Sequence, residues 1–194
     1  MIDRGKGDME QADIAALRVL IVGGRGHAVQ TLRTVLNNAG INNVAAVEDS
    51  RRAVDMLRVE SFEAVYCDEQ ADQIDNVNFA LAARRSAGLL NPMVPIFVVY
   101  GSARRSQVEK ARDIGVTDVM TRPISVKTLL RKLRVALANP RPFIAAAEFF
   151  GPDRRADSRK AFRGKDRRTR SPKKLKVNKA GVTSAADDND AVLL

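Results

Sequence analysis

Apolar residues follow two rhythms along this chain up to about residue 139. Short, nearly continuous apolar runs read as buried parallel strands: "LRVLIVG" (17–23), "NVAAVE" (43–48), "FEAVYC" (62–67), the strand inside "NPMVPIFVVYG" (91–101) and "VTDVM" (116–120). Stretches of helical period lie between them. In "HAVQTLRTVLNNAG" Val29, Leu32, Val35 and Leu36 share one face, and Gly40 stands where a helix would be capped. "SRRAVDMLRVES" groups Ala53, Val54 and Leu57 behind Ser50, which reads as an N-cap. "NVNFALAARRSAG" (76–88) and "SARRSQVEKARDIG" (102–115) predict two more helices. Ile124, Leu129, Leu130, Leu133 and Leu137 mark the inner face of a last one. Five strands alternating with five helices predict an α/β domain, a doubly wound five-stranded parallel sheet covered on both faces.

Outside this stretch the pattern fails. Residues 1–14 are polar and are expected to be loose. Beyond Pro140 only "PFIAAAEFF" (142–150) keeps apolar content, and its pattern leaves open whether it packs on the domain. From Gly151 aliphatic residues nearly vanish, which predicts a basic tail that is disordered by itself. The expected organisation is a flexible start (1–14), a folded domain (15–139), an arginine-rich extension (140–180) and a disordered end (181–194).

Charge sharpens the division. The 194 residues carry 33 Lys and Arg against 23 Asp and Glu, a net +10. Residues 151–180 hold thirteen of those cations and three acids, so this segment alone accounts for the net charge. The partner implied is anionic and meets the extension. Cys67 is the single cysteine, which excludes an intrachain disulfide and suits a reducing cytoplasm. No apolar run approaches the roughly 20 residues of a membrane span. The start of the chain has no signal-peptide core. A soluble cytoplasmic protein without membrane insertion is expected.

In a sheet of this kind ligands sit at the carboxyl ends of the strands. Gly23, Gly24, Asp68, Tyr100, Gly101, Arg122 and Pro123 fall there. Over residues 17–139 this arrangement resembles the receiver domain of bacterial response regulators, the CheY-like, flavodoxin-like fold. "FEAVYCD" puts Asp68 at the phosphoacceptor position, and "GVTDVMTRPI" is similar to the segment that ends in Lys-Pro, usually with a cis bond. Five residues that the resemblance implies are missing. The acidic pair that holds Mg²⁺ is Gly23-Gly24 here, and magnesium requires oxygen ligands. The Thr or Ser after the fourth strand is Tyr100, the Lys is Arg122, and the aromatic switch residue is Val119. The expectation is a degenerate receiver with a structural Asp68, no catalytic residues, no metal and no cofactor. "GGRG" (23–26) matches neither a dinucleotide fingerprint nor a P-loop. His27 falls in a first helical turn, and Cys67 reads as a small core residue.

The extension carries a repeat. Gly151, Asp153, Arg154, Arg155, Ser158 and Lys160 spell G-x-D-R-R-x-x-S-x-K, and Gly164, Asp166, Arg167, Arg168, Ser171 and Lys173 spell it again. Arg163 and Arg170 complete the candidate set. Arginine forks the O6 and N7 atoms of guanine, pairs with phosphate and stacks on purines. A carboxylate accepts the N1–H and N2–H donors of guanine, whereas it repels phosphate. Asp beside Arg-Arg therefore suits a guanine nucleotide, and two copies suit a ligand that offers its features twice. Cyclic di-GMP is two-fold symmetric and intercalates into a dimer. A membrane surface would call for an apolar stripe that is absent. Nucleic acid is attracted by the charge, but stacking aromatics are few and the acids oppose it.

Arg163-Gly164-Lys165-Asp166 also reads R-x-x-D, similar to the inhibitory site of diguanylate cyclases. A degenerate receiver with an ordered double motif resembles the CheY-like cyclic di-GMP effectors, the Cle family. The resemblance implies that the extension folds on the dinucleotide. It also implies that the complex docks on a flagellar motor switch protein through the fourth helix, fifth strand and fifth helix, residues 104–138 here. Two alternatives stay open: a receiver-like scaffold with a nucleic-acid-binding arm, and a working phospho-receiver with an incidental tail.

Overall fold

The computed structural model describes residues 11–23, 26–69, 79–154, 173–177 and 183–185. Strands β1 (Arg18–Val22), β2 (Asn43–Val47), β3 (Ala64–Asp68), β4 (Ile96–Tyr100) and β5 (Asp118–Thr121) form one parallel sheet in the order β2-β1-β3-β4-β5. Helices α2 (His27–Asn38), α3 (Ser50–Val59), α4 (Phe79–Arg85), α5 (Arg105–Asp113) and α6 (Val126–Ala138) connect or follow them, and a short α1 (Gln11–Ala15) precedes them. The sheet agrees with the alternation read from the sequence.

Burial on both faces explains why the strands are apolar at successive positions. The pleat sends Leu20, Val22, Val65 and Cys67 to a layer with Ala53 and Leu57 of α3 and Phe79 and Ala83 of α4. It sends Val19, Ile21, Ala64 and Tyr66 to the opposite layer, with Leu32 and Leu36 of α2 and Leu129 and Leu133 of α6. Tyr66 stacks on Phe97 with ring centroids 4.9 Å apart. Its hydroxyl is buried without a hydrogen-bond partner among the described residues, and burial pushes its pKa up.

Three sequence expectations shift. Ile14 of α1 is wholly buried in the α2–α6 layer, so the loose start expected to run to residue 14 gives way to helix by Gln11. One apolar side chain with a ready pocket suffices to tie that helix down. Asp49, not Ser50, caps α3, accepting from the Arg51 N–H at 2.7 Å, while Ser50 is buried as the first helical residue. Both residue types cap well, and the chain enters the helix one position earlier.

The third shift concerns the segment from Gly151, expected to be disordered by itself: its described residues 151–152, 173–177 and 183–185 lie in strands, and the open stretch 142–150 pairs with them. Strands β6 (Phe143–Ala146), β7 (Phe149–Pro152), β8 (Lys173–Val177) and β9 (Thr183–Ala185) form a second, antiparallel-paired sheet in the order β7-β6-β8-β9. β6 and β7 make a hairpin in which Phe143 packs on Phe150 with centroids 5.4 Å apart. In "KKLKV" Leu175 and Val177 are half-buried while Lys174 and Lys176 are exposed, a strand alternation hidden by its lysines. β8 gains its order from pairing with β6 rather than from a core of its own.

A close glycine contact and one buried cation hold this sheet to the domain. Gly115 ends α5 at φ 91°, and a Cβ there would lie 2.8 Å from the Phe150 carbonyl oxygen. A Cβ on Gly151 would lie 2.7 Å from the Gly115 Cα, so neither position admits a side chain without movement. Arg84, at the end of α4, is 5% exposed. It donates to the carbonyls of Pro92 (2.7 Å), Val94 (2.7 Å) and Gly115 (3.3 Å), and its guanidinium sits 5.0 Å from the Phe143 ring centroid. Burial lowers its pKa to about 9, which leaves it charged at neutral pH.

Two stability predictions follow from these packing facts. Replacing Arg84 by Met keeps the length but strips three buried carbonyls of their donor; chemical denaturation is expected to show a loss of about 3 kcal/mol. Hydrogen exchange should quicken at 143–152 in the same variant. Tyr66→Phe removes an unpartnered hydroxyl and is expected to raise stability by about 1 kcal/mol.

Candidate functional site

The crevice at the carboxyl ends of the strands is set by sheet register. Val22 lies opposite both Val47 and Cys67, so Gly23 and Asp68 emerge side by side where strand order reverses. Asp68 is 7% exposed. The Arg122 guanidinium spans two acids, donating from Nη1 to Asp68 Oδ2 at 2.6 Å and from Nη2 to Glu69 Oε1 at 2.9 Å. Glu69 Oε1 also accepts from the Gly101 N–H at 2.7 Å. The Arg122-Pro123 peptide is cis, as the resemblance implied. Gly101 leaves room for this network, since a Cβ there would lie 3.1 Å from Glu69 Oε1.

A magnesium ion does not fit the donor set of this crevice. Asp68 is the one acid on the strand ends that the receiver pattern would supply, and one of its oxygens already carries the guanidinium. Gly23 offers no carboxylate, and a Cβ there would stand 2.9 Å from Val29 Cγ2 and 3.1 Å from Asp68 Cβ. Among the described residues, no three His, Cys, Asp or Glu side chains cluster as metal ligands. What the crevice can do chemically is hold two adjacent carboxylates together through one planar cation. Glu69 and its link to Gly101 escaped the sequence reading, because nothing in "CDEQ" says which acid turns inward.

The extension residues divide between the fold and the undescribed stretch. Asp153 follows β7 and is nearly buried. Its N–H donates to the Pro142 carbonyl at 2.7 Å, and its carboxylate lies 3.8 Å from Lys174 Nζ. Arg154 pairs with Asp113 at the end of α5 and lies over the Phe149 ring at 4.5 Å. Lys173 is the first, exposed residue of β8. Arg155, Ser158, Lys160, Arg163, Asp166, Arg167, Arg168, Arg170 and Ser171 lie outside the described residues. The structure thus brings the start of the first motif and the end of the second into one sheet, on either side of β6. Asp113 and Phe149, which meet Arg154, carried no sequence signal beyond an acid before a helix-ending Ile-Gly and an aromatic before the repeat.

The crevice generates one prediction. Arg122→Ala leaves Asp68 and Glu69 adjacent, partly buried and without their shared cation. It is expected to cost about 2 kcal/mol in thermal or chemical unfolding at pH 7, and Arg122→Lys, which keeps the charge but not the fork, should cost less.

The model of the response regulator receiver domain family matches residues 19–134. Chemotaxis protein CheY-3 of Vibrio cholerae is 24% identical over 117 residues, covering 60% of this chain and 88% of that protein. Transcriptional regulatory protein PdtaR of Mycobacterium tuberculosis is 27% identical over 142 residues, covering 72% and 66%. In fold the chain is similar to the receiver domain of sensor histidine kinase PA1611 of Pseudomonas aeruginosa, whose active-site cleft coordinates magnesium. That match has a TM-score of 0.51, 21% identity, and covers 61% of this chain and 96% of that one. A response regulator from Desulfuromonas acetoxidans aligns with a TM-score of 0.54 at 14% identity, covering 62% and 96%. A doubly wound sheet in the order β2-β1-β3-β4-β5, an aspartate at its switch point and a family match across the whole of that sheet lead to one conclusion: the chain belongs to the response regulator receiver domain family, as a CheY-like signalling protein.

Proposed function

We propose that this protein is a cyclic di-GMP effector in which the arginine-rich repeat, not Asp68, receives the signal. The observation that carries the reading is the ordered repeat itself. Each copy sets an acid before two arginines, a pairing that suits guanine and works against a plain polyanion. Two features support it. The crevice has glycines where the family carries its acidic pair, and Arg122 is already shared between Asp68 and Glu69, which disfavours a metal-assisted phosphoryl group there. The second sheet holds Asp153 and Arg154 at one end of the repeat and Lys173 at the other, so a ligand gripped by both copies meets a segment whose two ends are already fixed to one sheet.

In this reading Arg154, Arg155, Ser158, Lys160, Arg163, Arg167, Arg168, Arg170, Ser171 and Lys173 bind an intercalated cyclic di-GMP dimer, with Asp166 reading guanine. Asp153 is the corresponding acid of the first copy. No chemistry is performed on the ligand, and the protein is not an enzyme. The ligand-loaded chain regulates a flagellar motor switch protein through α5, β5 and α6, and so controls motility and surface attachment. No helix among the described residues is long and apolar enough to cross a membrane.

Calorimetric titration of cyclic di-GMP into the full chain at two salt concentrations tests the reading. Tight binding near two dinucleotides per chain, little response to GTP or single-stranded DNA, and a weakening of roughly 5- to 100-fold in Arg168→Ala are expected. Asp166→Ala should weaken cyclic di-GMP while tightening generic polyanions. DNA binding of equal strength that salt abolishes would instead identify a nucleic-acid arm.

A further inference from the structure

Arg154 is held at both ends before any ligand is considered. Its carbonyl accepts from Arg112 Nη2 at 3.0 Å, and its guanidinium donates from Nη1 to Asp113 Oδ1. One face of the guanidinium lies over the Phe149 ring, 4.5 Å from the centroid. Even so, 44% of the side chain stays exposed. A planar cation backed by an aromatic ring, pinned along one edge and open to solvent is the arrangement on which a purine stacks. Two of the three contacts come from the last two residues of α5, so the holding groups belong to the receiver domain and not to the repeat.

We infer that Arg154 is a preset stacking platform for a purine base, with Asp113 of α5 and Phe149 of β7 as its positioning residues. The inference rests on the cyclic di-GMP reading and changes the part Arg154 plays in it. With Nη1 engaged, the residue offers its plane to a base rather than its full fork to the Hoogsteen edge. Asp113 also offsets the charge of the platform. Arg112 and the exposed Lys174, which faces Asp153 at 3.8 Å, supply positive charge close by for phosphates. An exposed ion pair of this kind adds little to folding. In binding it has greater effect, because a side chain already ordered loses less freedom when the ligand arrives. Because Arg154 is itself bonded to Arg112 and Asp113, a base seated on it is linked to α5 through a single side chain.

The test uses the full chain, with cyclic di-GMP as the stacking probe and inorganic pyrophosphate as a probe with phosphates and no base. Asp113→Asn and Phe149→Leu are each expected to weaken cyclic di-GMP by roughly three- to tenfold. Pyrophosphate binding should stay level or tighten slightly, and Asp113→Glu should recover part of the loss. Wild-type affinity in both variants overturns the inference and leaves the cyclic di-GMP reading standing. Tighter cyclic di-GMP binding by Asp113→Asn overturns it too, since α5 would then be holding Arg154 away from the ligand. Parallel loss of both probes shows a structural role only and overturns it. Failure of the wild-type chain to bind cyclic di-GMP removes the parent reading, and the platform with it.

Discussion

The guanidinium of Arg84 is the contact on which the joint between the two sheets depends. It is a cation that pairs with no carboxylate among the described residues, packed against a phenylalanine ring and satisfied by the carbonyl oxygens of Pro92, Val94 and Gly115. Burying a charge in that way is tolerable only when every dipole around it is in place. The requirement fixes the Pro92–Val94 turn, the carbonyl of Gly115 and the ring of Phe143 relative to one another. Gly115 in turn sets where α5 ends and where Gly151 can rest. The positions of Asp113, Phe149 and Arg154 follow from that seat.

The crevice and the extension treat charge in opposite ways. In the crevice Asp68, Glu69 and Arg122 close on each other, with the Gly101 N–H donating to Glu69, and the group is largely internal. In the extension the excess of cations over acids is too large for any internal pairing to cancel. The excess positive charge of the chain thus lies in the second region, while the described acids of the first are paired with Arg122. The hairpin β6–β7 opens the extension, seated on Gly115 and hydrogen-bonded to β8, so the charged segment is physically continuous with the receiver scaffold.

Most of the receiver sheet was legible in the sequence because burial on two faces writes itself as unbroken apolar runs, and "LRVLIVG" or "AVYCD" admits few other readings. The position of Asp68 followed from counting to the end of a strand. Three features were not legible, each for its own reason. Arg84 sits in "ALAARRSAG" beside another arginine, and no pattern separates the one that turns inward from the exposed Arg85. The β8 strand is mostly lysine, so its alternation carries little apolar signal, and its order is lent by β6. The partners of Arg154 come from α5, some forty residues away in sequence, and a pairing across that distance leaves no local trace.

Gly23 bears on how such a crevice could change over generations. A carboxylate there would have to enter against Val29 Cγ2 at 2.9 Å and Asp68 Cβ at 3.1 Å. It would also arrive beside two acids whose shared guanidinium is already committed. Regaining a metal-dependent phosphoacceptor is therefore not a matter of one reversion. Space must first be opened at position 29, and the grip of Arg122 on Asp68 must be relaxed, before a new acid becomes an asset rather than a burden. An acid placed at position 23 before those two changes would be pressed against Val29 and Asp68 with no cation left to meet it among the described residues.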